Sequence, residues 1–537
     1  MIITRPNGKK YYPVIGLEIH AELKTNSKMF CACKNNPDEE KPNTNICAIC
    51  MGHPGTLPTL NKKAIEHVIK VGTSLGSEIA EYTEWDRKNY FYPDIPKGYQ
   101  ISQYAYPLVK GGSLVVKGDP KDLDPETGQV RMHTVRLTRI HLEEDTASSS
   151  HDKGSFSLVD FNRAGLPLME LVTEPCIHDA KTAANFAKEL QLLLRTLGAG
   201  EANMEKGEMR VEANISVSDN PRAHELPYDF KTFGTKVEVK NLNSFKSVER
   251  AIEYELERHI DILERSEELR ASGADDATLK EKGLKIVQET RGFDETTGKT
   301  FSQRAKEDSH DYRYFPDPDL PKLIVSEVFS KDSIQLPKLP WDMRATYKDD
   351  FAMKDEDAEM FVQNEMFRNF FTQVAEKLIE SEKIKLAINY ITSDIAGLVK
   401  KSVTDKKGEP GSYLIQISKD AFAEIINMIS AGELSSRGAK DLIALYWSVE
   451  QVDIDDVSKN TPKQIAEARG MIQKNDPEAL KKMIEELFAA NPNVIADYKA
   501  GKEASIQFFV GQIMKLTKGS VNPQVAKDTI LELIKLV

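Results

Sequence analysis

The sequence predicts an α+β protein, with an N-terminal mixed α/β domain followed by an all-α helical domain and an all-α C-terminal tail domain. Two observations carry this. Up to about residue 320, alternating stretches such as VRLTRIHLEED and VEVKNL are interleaved with helical patterns. Across Phe315 to Trp341 the prolines cluster (Pro316, Pro318, Pro321, Pro337, Pro340), and beyond them helical spacing takes over. The 537 residues exceed what one hydrophobic core supports, so two to four domains are expected. We place them at 1–323, 324–408 and 409–537, with a hinge at Gly408 to Gly411 in KKGEPG.

Taken in order, YYPVIGLEI alternates and carries charge, which reads as a strand and not as a signal-peptide core. In AANFAKELQLLLRTLG, Phe186, Leu190, Leu193 and Leu197 recur at helical spacing before a Gly198 stop. A longer helix runs from Ser244 through FKSVERAIEYELERHIDILER, and the charged SEELRASGADDATLKEKG after it reads as a solvated excursion. Further helices are expected in AEMFVQNEMFRNFFTQVAEKLIE, DAFAEIINMI, PEALKKMIEELFAANP and PQVAKDTILELIKLV. No apolar run approaches the roughly 18 residues of a membrane span, and mean hydropathy is −0.44, so we expect a cytoplasmic protein with no membrane partner.

A net charge of −12 argues against gripping nucleic acid with the whole surface, although a local basic patch remains compatible with it. Four of the five cysteines fall at Cys31, Cys33, Cys47 and Cys50. That spacing, C-x-C-x13-C-x2-C, supplies the four thiolates of a closed tetrahedral Zn2+ site, a staple with no open position for chemistry. A redox pair or plain buried thiols are the alternatives. Cys176 reads as a packed thiol.

Chemistry is expected from carboxylates and imidazoles. In GLEIHAEL, Glu18 and His20 share a strand face; RIHLEEDTA adds His141, Glu143, Glu144 and Asp145; and GLPLMELVTEP sets Glu170 among apolar neighbours. A bare carboxylate in such a run is costly, so Glu170 must be protonated, paired or bound to a cation. Several carboxylates with one histidine suit Mg2+ or Mn2+; a solvated strand edge with Glu170 paired to an arginine is the competing reading. GFDETTGKT, Gly292 to Thr300, has five residues between its glycines where a P-loop needs four, and reads as a turn. GAGEAN at Gly198 lacks the third glycine of a dinucleotide fingerprint. Three segments mix aromatic, amide and basic residues in the manner of base-stacking or phosphate-holding surfaces: DRKNYFYPDIPKGYQISQ, VKNLNSFKS and HDYRYFPDPDLP.

Together VIGLEIHAELKT, DRKNYFYPDIPKGYQISQ, RLTRIHLEEDTA, SLVDFNRAGLPLMELVTEP, VKNLNSF and HDYRYFPDPDLP resemble, in order, the B subunits of tRNA-dependent amidotransferases, and GKEASIQFFVGQIMKLTKGSVNPQ resembles that family's helical tail. The resemblance implies an ATP-dependent carbon–nitrogen ligase component. It would phosphorylate the side-chain carboxylate of Glu-tRNA(Gln) or Asp-tRNA(Asn) and amidate the acyl phosphate with ammonia. The ammonia would come from glutamine hydrolysed on a separate A subunit, and a small C subunit would join the two. Residues 1–323 would be the catalytic cradle, with the zinc-binding insert at 31–50, and 409–537 the tRNA-binding tail.

The resemblance places the family's Mg2+ ligands on Glu18, His20, Glu144 and Glu170. Glu144 is preferred over Glu143 because a strand from Arg139 puts it on the face of Ile140 and Leu142. Arg87, Lys88, Asn89, Arg163, Lys240 and Asn243 are candidates to cradle ATP or the tRNA end, and Lys515 and Lys518 to contact tRNA from the tail. Some members of the family lack the four cysteines, so zinc would not be needed for the chemistry. The runner-up function is a tRNA-binding scaffold without catalysis of its own, within the same complex; a third is a stand-alone metal-dependent hydrolase.

Overall fold

The computed structural model describes residues 1–151, 154–305, 311–330, 333–405, 415–447, 460–473, 477–502, 504–517, 521 and 523–536. The expected hinge at Gly408 to Gly411 lies outside these. The chain divides into two compact units, Met1–Pro340 and Trp341–Val537. An N-terminal mixed sheet with helices is followed by helices alone, as the sequence predicts.

The first unit is organised by an eleven-stranded sheet among the described residues. Its long strands are β1 (Lys10–Glu22), β4 (Met132–Glu144), β5 (Pro167–Thr173), β6 (Met209–Ser218), β7 (Val237–Leu242), β8 (Glu289–Asp294) and β9 (Lys299–Ala305), in the order β9-β8-β7-β6-β1-β5-β4. A small separate sheet joins β2 (Asp86–Asn89) to β3 (Tyr99–Ser102) and to β10 (Phe315–Pro316). Leu323–Ile324 pairs with Tyr82–Thr83, which ties residues just past 323 to the first unit.

The sheet's two faces differ because each strand alternates. Ile15, Leu17, Ile19 and Ala21 of β1, Met169 and Leu171 of β5, Ile140 and Leu142 of β4 and Val211, Ala213 and Ile215 of β6 are all buried. The helices α1 (Lys62–Ser74), α2 (Ala180–Thr196) and α3 (Phe245–Ala271) pack on this side. Each such Val, Leu, Ile or Met chain contributes about 1.5–3 kcal/mol on burial, which favours the observed register. The opposite face is left with the intervening residues, which are mostly polar around the strand centres.

Helix signals map closely. Asp179 caps α2 by accepting from Thr182 N–H, and Gly198 beyond its end adopts a left-handed φ of +64°. Ser244 caps α3, which runs on to Ala271 through part of the expected excursion, followed by a short helix at Asp276–Glu281. GFDETTGKT is the tight turn of the β8–β9 hairpin.

In the second unit, α4 (Asp355–Gln363), α5 (Glu365–Leu378), α6 (Ser381–Tyr390) and α7 (Lys419–Ser430) pack together. The helices α8 (Pro477–Ala490), α9 (Pro492–Lys499), α10 (Ser505–Leu516) and α11 (Pro523–Ile534) share another core around Ile484, Phe509, Ile513 and Ile530. Among the described residues no helix is long and apolar enough to cross a membrane.

Candidate active site and metal centre

Register brings the predicted groups together on the polar face. Glu170 of β5 lies opposite His20 of β1 on one side and His141 of β4 on the other, so three strands present one row. Arg210 of β6 pairs with His20 and Glu212 with Glu18, extending the polar field across a fourth strand. Glu170 Oε2 is 3.4 Å from His20 Nε2 and 3.3 Å from His141 Nε2; Glu143 Oε1 is 3.6 Å and Glu18 Oε1 3.9 Å from His20 Nε2. Glu18, His20 and Glu170 can converge on one ion, as can His141, Glu143 and Glu170, and the two sets share Glu170.

The electrostatics show excess negative charge. Burial, then Glu170 and Glu212, pushes the Glu18 carboxyl up to about 7. Burial opposes protonation of His20 and His141, but bonds and fields from Glu170 and Glu143 prevail, raising them to about 8 and about 9. Glu143 and Glu170 are held low against burial by these histidines. Three carboxylates and two imidazoles thus hold each other together through protonated histidines, a job a divalent cation does better with the histidines neutral. Arg139 lies 3.5 Å from Glu170 Oε1 and is the arginine partner of the competing reading. The donor set, hard oxygens with imidazole, fits Mg2+ or Mn2+.

Glu144 stands apart from this row. It faces the side of Ile140 and Leu142, where its carboxylate accepts from Lys97 Nζ at 2.6 Å and from Ile101 N–H at 2.9 Å, while Glu143 takes the place expected for it. Alternation together with the helix-covered side gives the reason: the side shared with Ile140 and Leu142 belongs to the helix-packed core, and the opposite side carries Arg139, His141 and Glu143. Asp145 is clamped by Arg163 at 2.7 Å and Arg210 at 2.9 Å, and Arg163 also pairs with Glu22.

The remaining candidates divide. Arg87 is committed to Asp317 (2.8 Å) and Asp319 (2.9 Å) and stacks on Tyr99. Asn89 donates through Nδ2 to the carbonyls of Tyr312 and Arg313. Between them Lys88 sits over the Tyr312 ring, its ammonium held charged against burial by the fields of Glu143, Tyr314 and Glu170. Lys240 pairs with Glu212 at 2.6 Å. Asn243 is exposed just before α3, and Lys515 is exposed in the last turn of α10. Lys518 lies outside the described residues.

The four cysteines form a second centre, with sulfurs within 4.8 Å of one another and none in a disulfide. Crowding splits their acidities. A bond from Cys31 and the Cys47 N–H, 3.2 Å away, bring the Cys50 thiol down to about 5, while burial and Cys47 push Cys33 up to about 11. Four thiolates at this separation fit zinc. Lys28, 1 % exposed, places Nζ 3.9 Å from Cys50 Sγ and donates to the carbonyls of Ala164 and Phe161. A buried cation here offsets the net negative charge of a tetrathiolate centre, a role the sequence pattern did not reveal. Gly165, at φ +87°, lies where a Cβ would meet Cys50 Cβ at 3.5 Å, Lys28 Cδ at 3.6 Å and Glu144 Oε2 at 3.7 Å, so the cysteine loop and the end of β4 close on one backbone point.

Both centres lie in a stretch with known relatives. The family model of the GatB/GatE catalytic domain matches residues 13–331, and that of the GatB domain matches residues 369–534. The chain belongs to the B-subunit family of tRNA-dependent amidotransferases. The B subunit of the aspartyl/glutamyl-tRNA(Asn/Gln) amidotransferase of Persephonella marina is 40% identical over 98% of this chain and 100% of its own length. Its counterpart from Picosynechococcus is 37% identical over the full length of both. The counterpart from Geobacter sulfurreducens is 37% identical over 98% of this chain and 99% of its own. The resemblance carried by the six segments is thus upheld along the whole chain.

Proposed function

We propose that this chain is the ATP-dependent amidating subunit of a glutamine-dependent tRNA amidotransferase. The observation that carries the proposal is the row of Glu18, His20, Glu143, Glu170 and His141 on the polar face of a sheet whose other face is packed by helices. In the first step a side-chain carboxylate oxygen of Glu-tRNA(Gln) or Asp-tRNA(Asn) attacks the γ-phosphorus of ATP, and ADP leaves. In the second, ammonia attacks the acyl carbon, inorganic phosphate leaves, and the nitrogen loses a proton to give the amide. Glu18, His20, Glu143 and Glu170 would hold Mg2+, with His141 bracing Glu170. Bound there, the ion supplies charge neutralisation on the transferring phosphoryl group. Lys88 presents a charged ammonium on the same side and suits a phosphate oxygen.

Ammonia would arrive from a glutaminase A subunit, with a small C subunit completing the complex in the cytoplasm. Zinc at the four cysteines would be structural. The test is transfer of labelled γ-phosphate to misacylated tRNA by the complex. Glu143→Gln and Glu170→Gln should each reduce it at least ~100-fold, the loss of a few kcal/mol of charge stabilisation, while tRNA binding persists. Unchanged transfer in both would leave a tRNA-binding scaffold as the function.

A further inference from the structure

Beside the carboxylates the small sheet carries a cluster of aromatic rings in which Tyr312 and Tyr314 are half-buried and Tyr104 is exposed. Tyr104 and Tyr314 lie parallel, with ring centroids 4.2 Å apart and planes 10° apart, and Tyr312 meets Tyr314 edge-on at 6.1 Å. Tyr104 nevertheless remains 62% exposed, so the ring face away from Tyr314 is open.

The backbone holds these rings in place. Asp86 Oδ2 accepts from the N–H groups of Tyr104 (2.9 Å) and Ala105 (3.2 Å), and Asn89 at the other end of β2 fixes the carbonyls of Tyr312 and Arg313. Arg313 is kept at φ +44°, a conformation that costs a non-glycine residue energy and that turns Tyr312 and Tyr314 as a pair. Its exposed guanidinium forms no ion pair with a described residue, and Lys88 sits 5.2 Å from the Tyr312 ring centre. The platform is joined to the reacting cluster through β3, where Ser102 Oγ donates to Glu143 at 3.2 Å.

We propose that Tyr104, stacked on Tyr314, is the seat of the 3′-terminal adenosine of the aminoacyl-tRNA, with Arg313 on the adjoining phosphate. The proposal deepens the function proposed above and rests on it. An amino acid esterified to the terminal ribose can bring its side-chain carboxylate to Glu143 and Glu170 only if that adenosine lies beside them. Open aromatic faces flanked by cations are the surfaces on which unpaired nucleotides stack.

The experiment uses the whole complex and a tRNA carrying 2-aminopurine in place of its terminal adenosine. Binding should quench the fluorescence by stacking, and Tyr104→Ala should remove the quench, with Tyr104→Phe restoring it. With ordinary Glu-tRNA(Gln), Tyr104→Ala should raise KM for the tRNA about tenfold or more and leave KM for ATP and glutaminase activity unchanged. Tyr104→Ala/Tyr314→Ala with quench and KM intact would overturn the proposal, as would a rise in KM for ATP alone. The quench requires no turnover, so its outcome is separate from any failure of phosphoryl transfer.

Discussion

At the scale of single residues, Glu143 and Glu144 are a natural experiment. Neighbours in sequence, they point to opposite sides of β4, one into the imidazole row and one onto Lys97. Glu144→Gln should lower the melting temperature by weakening a buried pair while retaining measurable phosphoryl transfer; Glu143→Gln should do the reverse. Thermal unfolding and labelled-phosphate transfer, run on both variants, check the assignment. Lys28 makes a second residue-scale prediction. Lys28→Met should weaken zinc retention about 10–100-fold in chelator competition, since it removes the cation facing Cys50.

Much of this was legible in the residues themselves. The motif around Glu18, His20 and Glu170 reports its own face, because apolar partners on both sides leave no other direction for the polar groups. The choice within EED was not legible. It depends on which side of β4 is covered by helices, and a strand end with Ile140, Leu142 and Glu144 on one side and His141 and Glu143 on the other does not announce its outer face. Lys28 and Lys97 were illegible for a different reason: their partners come from segments distant in the chain, and only tertiary structure supplies them.

At the scale of elements, the other end of β1 fixes two histidines. The carbonyl of Pro13 accepts from His178 Nδ1 (2.9 Å) and from His224 Nε2 (2.7 Å), and the two rings lie 3.7 Å apart. Burial, then the facing His224, brings His178 down to about 3, and burial also lowers His224. Both are therefore neutral in the folded protein and protonate more readily once unfolded. Their contribution to stability is complete above pH 6.5 and is lost as pH falls from there toward 3, by roughly 1.4 kcal/mol per pH unit for His178 at most. His178→Phe should flatten the acid limb of a stability-versus-pH curve measured by denaturant unfolding between pH 7 and 4.5. The helices were the most readable elements, since Ser244 and Gly198 mark their ends in sequence. The separate sheet of β2, β3 and β10 was not readable, because strands of two to four residues carry too little alternation.

At the scale of the whole chain, the proposed function requires a protein of net charge −12 to admit a polyanion. Under the proposed function, contact would be confined to local basic positions, and we propose Lys515, exposed in the last turn of α10, as one of them. Lys515→Ala should make the slope of log K for tRNA against log salt shallower by about one and should leave zinc content unchanged. Filter binding across a salt series measures it. The sequence expects three domains, with the first boundary in the proline cluster between Phe315 and Trp341 where alternation ceases, whereas the chain divides into two compact units after Pro340.

The alternation of β1 also determines which mutations a lineage can survive. Within Lys10–Glu22, the odd positions from Ile15 to Ala21 enter a packed core, and Glu18 and His20 between them reach the open face. Loss of a single codon along this stretch would swap the two sets beyond the lesion, driving Glu18 and His20 against helices and Ile19 into water. Substitutions at individual positions can be absorbed, but a change of reading length cannot, and the strand is expected to tolerate replacement everywhere better than deletion anywhere.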